Sequence, residues 1–193
     1  DLYIQEDKPG GLNFAITEPM ASACGANLLS GYSPQDLLFI VTKHLSYYRP
    51  EHYIRWVLPT HAELKMLVLA AFKLGAPDFK LPADKTGVLQ QYMEVLKGNM
   101  NPMEAENLSK VVRRYIKTGE NPDVKKWIRA VELTGARAGL LLANDLEVAA
   151  RMIQTETGGV DDIPAKEKIK ELVLFSVSEE YFDLREKLGI VIG

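Results

Sequence analysis

Alternating apolar and polar residues indicate strands at the start of the chain. The segments LYIQ (2–5) and LNFAI (12–16) alternate, and DKPGG (7–11) between them has the proline and glycines of a turn. ACGANLLSG (23–31) predicts a third short strand ending at Gly31. The first part of the chain is therefore predicted to form a small antiparallel sheet or meander.

Helical spacing of apolar residues follows. Ser33, Pro34 and Asp36 have the order of an N-cap, a first helical residue and a first-turn acid, which predicts a helix from 34 to about 48 that stops before Pro50. Its apolar run LLFIV (37–41) predicts a buried helix. Later helices are predicted over 51–57, 60–74, 83–98, 103–118, 122–155 and 164–188.

Capping signals support several of these later helices. Thr60, Asn101 and Asn121 are the predicted N-caps, the last two each followed by a proline. The segment ANDLEVAARMI (143–153) leaves open whether the 122–155 helix breaks near Asn144 and restarts. TETGGVDDIPA (155–165) is predicted to be a loop.

The order of elements predicts an α+β fold, in which a small antiparallel sheet precedes a mostly helical remainder. A length of 193 residues suits one core, so a single domain over 1–193 is predicted. No segment repeats at a fixed period, so the chain is not itself a solenoid. The chain begins at DLYIQED without an initiator methionine, and we expect it to be a piece of a longer protein.

Composition excludes several classes of function. Lys and Arg number 23 against 26 Asp and Glu, a net charge of −3, so no nucleic-acid partner is predicted. No apolar run approaches the roughly 20 residues of a membrane span. Cys24 is the only cysteine, so neither an internal disulfide nor a cysteine-based zinc site can form, and a cytoplasmic location is expected.

The helix that contains TKHLSYY (42–48) raises the question of metal chemistry. In an H-E-x-x-H motif, two histidines one turn apart bind zinc and the glutamate between them acts as the general base. Lys43, His44 and Tyr47 stand at those three places here.

Two segments together resemble the HtpX-like gluzincin metallopeptidases. They are SPQDLLFIVTKHLSYYRPEH (33–52) and KKWIRAVELTGARAGLLLANDLEVAARMI (125–153), and the likeness covers residues 1–48 and 125–154. The whole chain also resembles the terminal module of large bacterial tetratricopeptide-repeat proteins of the myxobacterial type, which keep this fold without the peptidase motif. The resemblance implies a zincin-like domain.

The resemblance assigns a role to each position of the former site. Lys43 stands for the first ligand histidine, His44 for the catalytic glutamate and Tyr47 for the second ligand histidine. Glu132 matches the third ligand, and Ala136 replaces the aspartate that supports the site. A charged lysine has no lone pair for a metal, and tyrosine binds zinc only as phenolate. Neither a catalytic residue nor a metal or cofactor is therefore expected.

The predicted function is that of a pseudoenzyme, a structural or protein-interaction module. Its expected partner is another protein or another domain of the same chain. A metallopeptidase with an altered metal site and a plain helical adaptor remain the alternatives. A sheet away from the 34–48 helix, or that helix far from 122–142, would favour the adaptor.

Lys43 brings a cation to the place of a metal. We predict that Lys43 and Glu132 form a buried or half-buried ion pair that links their helices instead of zinc. The alternative is that Lys43 points outward and Glu132 pairs with Arg129, one turn away.

The segment YYRPEHY (47–53) is a candidate interaction patch. Tyrosine and arginine are favoured at interfaces, which makes Tyr48, Arg49, His52 and Tyr53 the candidate residues. Packing of the tyrosines at the end of the helix is the alternative interpretation.

Overall fold

The structure, a computed structural model, describes residues 1–7, 11–80, 86–156 and 162–190. Packing divides the chain into two compact units, whereas the sequence predicts a single domain over 1–193. Unit 1 comprises residues 1–57 and 127–193, and unit 2 comprises residues 58–126.

Strands and helices occur in the order that the sequence predicts. The strands are β1 (Leu2–Gln5), β2 (Leu12–Ala15) and β3 (Ala21–Gly25), followed by a short 3₁₀ helix at Ala26–Leu29. The α-helices in the described part of the chain are α1 (Pro34–Ser46), α2 (Pro50–Val57), α3 (His61–Gly75), α4 (Thr86–Asn99), α5 (Pro102–Ile116), α6 (Val124–Ala143), α7 (Leu146–Thr155), α8 (Ala165–Ser176) and α9 (Glu179–Lys187). The α+β class is confirmed.

The sheet of unit 1 is mixed, so the prediction of an antiparallel sheet or meander is wrong. β3 lies in the middle, parallel to β1 and antiparallel to β2, with Leu2 opposite Ser22 and Asn13 opposite Ala23. All five residues of β3 are buried and most are small, which suits a central strand. The predicted strand 23–31 is also placed too late, because its second half is the 3₁₀ helix. Residues 8–10 of the predicted turn lie outside the described residues.

α1 begins with the predicted cap. The Ser33 hydroxyl accepts from the Asp36 backbone N–H at 3.2 Å, and the Asp36 carboxylate accepts from the Ser33 N–H at 2.9 Å, which completes a capping box. The apolar run 37–41 predicts a buried helix, but only part of the surface of α1 is buried. Phe39 is buried, but Leu38 and Val41 are exposed.

Two long predicted helices are each two shorter ones. Asn144, with a φ of +51°, separates α6 from α7, so the restart left open at 143–153 is real. The predicted 164–188 helix is likewise divided into α8 and α9. Ser178 lies between them and is the N-cap of α9, where its hydroxyl accepts a hydrogen bond from the Tyr181 N–H. The predicted cap Asn121 is also wrong, because Asp123 accepts the N–H of Lys126 at the start of α6.

Each unit has a core of its own. In unit 1, α1, α7 and α8 pack together, and the buried side chains of the core include Phe39, Leu140, Ile153, Leu172 and Phe175. In unit 2, α3 packs against α4 and α5 around Phe72, Ala76 and Val112. The predicted caps Thr60 and Asn101 are both present, each within a capping box.

Candidate functional site

Two glycines of α6 allow α1 to approach closely. A Cβ atom on Gly139 would lie 2.8 Å from the Phe39 ring and 2.9 Å from the Phe39 carbonyl oxygen. A Cβ atom on Gly135 would lie 2.6 Å from the Tyr47 hydroxyl oxygen. Because these two glycines have no side chains, α1 can lie close enough to α6 for side chains of the two helices to form hydrogen bonds.

Gly139→Ala should therefore destabilise unit 1. The added Cβ would meet the backbone oxygen of Phe39 as well as its ring, so overpacking should cost about 2–3 kcal/mol, the upper part of its usual range. The higher helix propensity of alanine returns about 1 kcal/mol, so a net loss of about 1–2 kcal/mol is expected. The tryptophans Trp56 and Trp127 are the only two in the chain and both belong to unit 1, so tryptophan fluorescence reports its unfolding. Gly11→Ala is the matched control, since Gly11 also belongs to unit 1 and open space surrounds that position. A Gly139→Ala variant as stable as wild type would contradict the close contact.

The ion pair predicted between Lys43 and Glu132 is confirmed. Lys43 Nζ lies 2.5 Å from Glu132 Oε1, and both residues are buried, at 9% and 4% exposure. The alternative with Arg129 is not found, since Arg129 pairs with Glu167 at 2.5 Å. The two residues that the resemblance places at the metal site thus contact each other directly.

Further residues of the site were not predicted from the sequence. Lys168 Nζ of α8 lies 2.9 Å from Glu132 Oε1, and Arg55 of α2 lies 3.1 Å from Glu132 Oε2. Glu156, just after α7, binds Lys43 at 2.5 Å and Lys168 at 3.2 Å. These residues are far apart in sequence and show no local motif, so only the fold brings them together.

Tyr47 completes the site by donating its hydroxyl hydrogen to Glu132 Oε2 at 3.0 Å. We call this set the Glu132 cluster: Lys43, Tyr47, Arg55, Glu132, Glu156 and Lys168. Each oxygen of Glu132 has two partners, with ammonium groups at Oε1 and Arg55 with the phenol at Oε2. The Glu132 carboxylate thus joins α6 to α1, α2 and α8, and the end of α7 is linked to the cluster through Lys43 and Lys168.

Electrostatics fix the protonation states at the centre of the cluster. Burial raises the pKa of the Glu132 carboxyl, but Lys43 and Lys168 outweigh it and hold that pKa well below its ordinary value of 4.5. Burial, reinforced by the Glu132 charge, raises the pKa of Tyr47 well above 10. Glu132 is therefore ionised and Tyr47 is a neutral phenol at neutral pH.

This donor set does not fit zinc. Lys43 offers no lone pair while it carries a charge, and the Tyr47 phenol is not the phenolate that a metal requires. Both oxygens of Glu132 are already bound by cations and the phenol. Within the described ranges, no group of three His, Cys, Asp or Glu side chains is arranged to hold a metal.

His44, which the resemblance places at the catalytic base, faces away from the cluster. Residues 43 and 47 share one face of α1, whereas residue 44 is turned by about 100°. His44 Nε2 lies 2.8 Å from the Ser22 hydroxyl of β3, and its ring stacks on Phe14 of β2 at 4.2 Å. Burial lowers the pKa of His44 from 6.5 to about 4. The histidine therefore joins α1 to the sheet as a neutral ring.

Ala136, the remaining position that the resemblance assigns to a metal site, belongs to the core. It is fully buried beside Phe39 and Leu140. A methyl group there can neither orient a ligand nor accept a hydrogen bond. Ala136 therefore cannot take the supporting role that the resemblance assigns to an aspartate at this position.

The candidate patch after α1 is mostly packed inside. His52 and Tyr53 are buried, and Tyr48 is half-buried beside Phe14. Arg49 is exposed and pairs with its neighbour Glu51. An interaction patch needs accessible side chains, so the arrangement favours the alternative of packing at the helix end.

Neither a protein-family model, nor a curated protein, nor a solved structure matches this chain. In the part of the chain that the structure describes, no helix has both the length and the apolar character needed to cross a membrane.

Proposed function

We propose that the chain is a zincin-like pseudoenzyme, in which the Glu132 cluster replaces a metal centre. One observation carries the proposal: Lys43 Nζ lies 2.5 Å from Glu132 Oε1, at the two positions that the resemblance assigns to metal ligands. The ammonium group supplies the positive charge that zinc would otherwise supply between α1 and α6. A fixed cation of this kind links helices but cannot activate water for peptide hydrolysis.

The packing of unit 1 supports the proposal over a plain helical adaptor. β2 packs against α1, and α1 contacts α6 through Phe39 and Gly139. These are the two arrangements whose absence would favour an unrelated adaptor. The module then acts as a structural or protein-interaction part of a longer chain, with another protein or a neighbouring domain as its partner.

Metal analysis tests the proposal. The purified chain is expected to contain far less than one zinc per molecule, and added zinc should leave its unfolding midpoint unchanged. Peptide hydrolysis should not exceed the background with or without zinc. Elemental analysis and tryptophan-monitored melting are the measurements.

Glu132→Ala is the matched variant for that experiment. Stoichiometric zinc that is present in wild type and absent from a Glu132→Ala variant whose tryptophan fluorescence shows it to be folded would place a metal at the cluster and overturn the proposal. Zinc retained by Glu132→Ala would be bound elsewhere, and the cluster would still be the metal-free centre that we propose.

A further inference from the structure

Glu156 is the most exposed charged side chain of the Glu132 cluster. Its side chain is 32% exposed, whereas those of Lys43 and Lys168 are 11% and 6% exposed. Its Oε1 atom binds Lys43 Nζ at 2.5 Å, and its Oε2 atom binds Lys168 Nζ at 3.2 Å. A carboxylate at the edge of the protein thus bridges two buried ammonium groups.

Glu156 can withdraw without disturbing a helix. It is the C-cap of α7, with an extended backbone (φ −65°, ψ 122°), and its N–H donates to the Ile153 carbonyl. Rotation about side-chain bonds alone removes the carboxylate from the lysines. Glu132 does not share this freedom, because it is buried within α6 and each of its oxygens has two partners.

Withdrawal of Glu156 would leave two buried ammonium groups without one of their anions. Lys43 and Lys168 would each keep a bond to Glu132 Oε1, but loss of the second carboxylate is costly in a poorly solvated site. A carboxylate from another molecule has the same two oxygens and can bridge the same two nitrogens. The two ammonium groups that bind Glu156 could therefore also bind the carboxylate of a ligand.

We propose that Lys43 and Lys168 form a binding site for a carboxylate group, and that Glu156 is its internal occupant. The inference rests on the proposed metal-free state of the cluster. A peptide C-terminus and a small organic acid share the required chemistry. Because Glu156 is tethered at a high effective concentration, the wild-type chain binds a free carboxylate weakly.

Glu156→Ala tests the site, because the atoms it removes correspond to acetate. Sodium acetate is expected to raise the unfolding midpoint of Glu156→Ala in a saturable manner, by about 3–6 °C above sodium chloride at the same ionic strength. Wild type should respond much less. Tryptophan fluorescence is the measurement, since both tryptophans belong to unit 1. Glu156→Ser gives the same test if the alanine variant does not fold.

Two further variants control for nonspecific effects. Glu156→Gln leaves a neutral amide that competes for the site but cannot pair with the lysine charges, so a smaller saturable response to acetate than that of Glu156→Ala is expected. Glu167→Ala removes a half-exposed glutamate that pairs with Arg129 outside the cluster, and its response should equal that of wild type. A Glu156→Ala variant that does not respond to acetate, or a control that responds equally, overturns the proposal.

A short peptide with a free C-terminus, compared with its C-terminal amide, distinguishes the two sources of carboxylate. Binding of the acid but not the amide to Glu156→Ala supports a peptide ligand. Binding of acetate without the peptide acid supports a small organic acid. Equal binding of peptide acid and amide, without a response to acetate, overturns the assignment to a carboxylate. Zinc content is measured on the same samples, so failure of the metal-free proposal is recognised separately.

Discussion

Glu132→Gln is expected to lower the free energy of unfolding of unit 1 by about 3–5 kcal/mol, which is the usual cost of removing one partner from a buried ion pair. The substitution keeps the side-chain shape but removes the negative charge that Lys43, Lys168 and Arg55 share. Three cations would then remain close together with Glu156 as the carboxylate that contacts the lysines. Urea unfolding followed by tryptophan fluorescence measures the loss.

Lys43→Met should cost less than Glu132→Gln. In Lys43→Met, Glu132 keeps Lys168 and Arg55 as partners. In Glu132→Gln, Lys43 loses its most buried partner. The double variant Lys43→Met/Glu132→Gln is expected to be more stable than Glu132→Gln, because one of the uncompensated cations is removed as well. Destabilisation that is simply additive would contradict coupling between the two residues.

A half-exposed pair provides the comparison for these variants. Glu167→Gln breaks the pair with Arg129, whose side chains are 48% and 29% exposed. Exposed pairs contribute about 0–1 kcal/mol, so this variant should stay close to wild type. A Glu132→Gln variant no less stable than Glu167→Gln would show that the cluster does not hold the helices together.

Local hydrogen bonds explain which parts of the fold were predictable. The caps Ser33, Thr60 and Asn101 bind backbone groups three residues away, so four consecutive residues are enough to predict them. Ser178, followed by two glutamates, has the same N-cap pattern and marks the start of α9 within the predicted 164–188 helix. The central place of β3 depends on pairing with distant β1, and alternation within a strand cannot reveal its neighbours.

The candidate site was predictable only where the resemblance aligned two positions. Lys43 and Glu132 could be paired because the resemblance assigns both to the places of metal ligands. Lys168, Arg55 and Glu156 have no such counterpart, and their contacts with the cluster span 12 to 113 residues. A buried ionised carboxylate requires neutralising partners, so the sequence could suggest that further basic residues lie near Glu132, but it could not show which ones.

α1 carries two separate functions on adjacent residues. Lys43 and Tyr47 face α6 and join the Glu132 cluster, while His44 faces the sheet. At the position that the resemblance assigns to a catalytic base, the histidine thus has a structural role. This division predicts that substitutions at His44 alter the stability of unit 1 without changing carboxylate binding at Lys43 and Lys168.

His44 should make unit 1 less stable as the pH falls from about 7.5 to 5. The unfolded histidine takes up a proton near pH 6.5, but burial keeps the folded ring neutral until about pH 4. The unfolded state therefore binds more protons across this window, and stability is lost on acidification. The loss should reach about 2 kcal/mol at pH 5, since each unit of pKa difference corresponds to about 1.4 kcal/mol.

His44→Gln isolates this effect, because the amide can still hydrogen-bond Ser22 but does not titrate in this range. The variant should show a flatter dependence of unfolding free energy on pH above pH 5, where protonation of Glu132 does not yet contribute. His61→Gln at the start of α3 is the matched control and should retain the wild-type slope for unit 1. Equal slopes in wild type and His44→Gln would mean that His44 is solvated enough to take up its proton in the folded chain. The stacking on Phe14 and the bond to Ser22 would then not exclude water from the ring, and the histidine could not join α1 to the sheet as a neutral group.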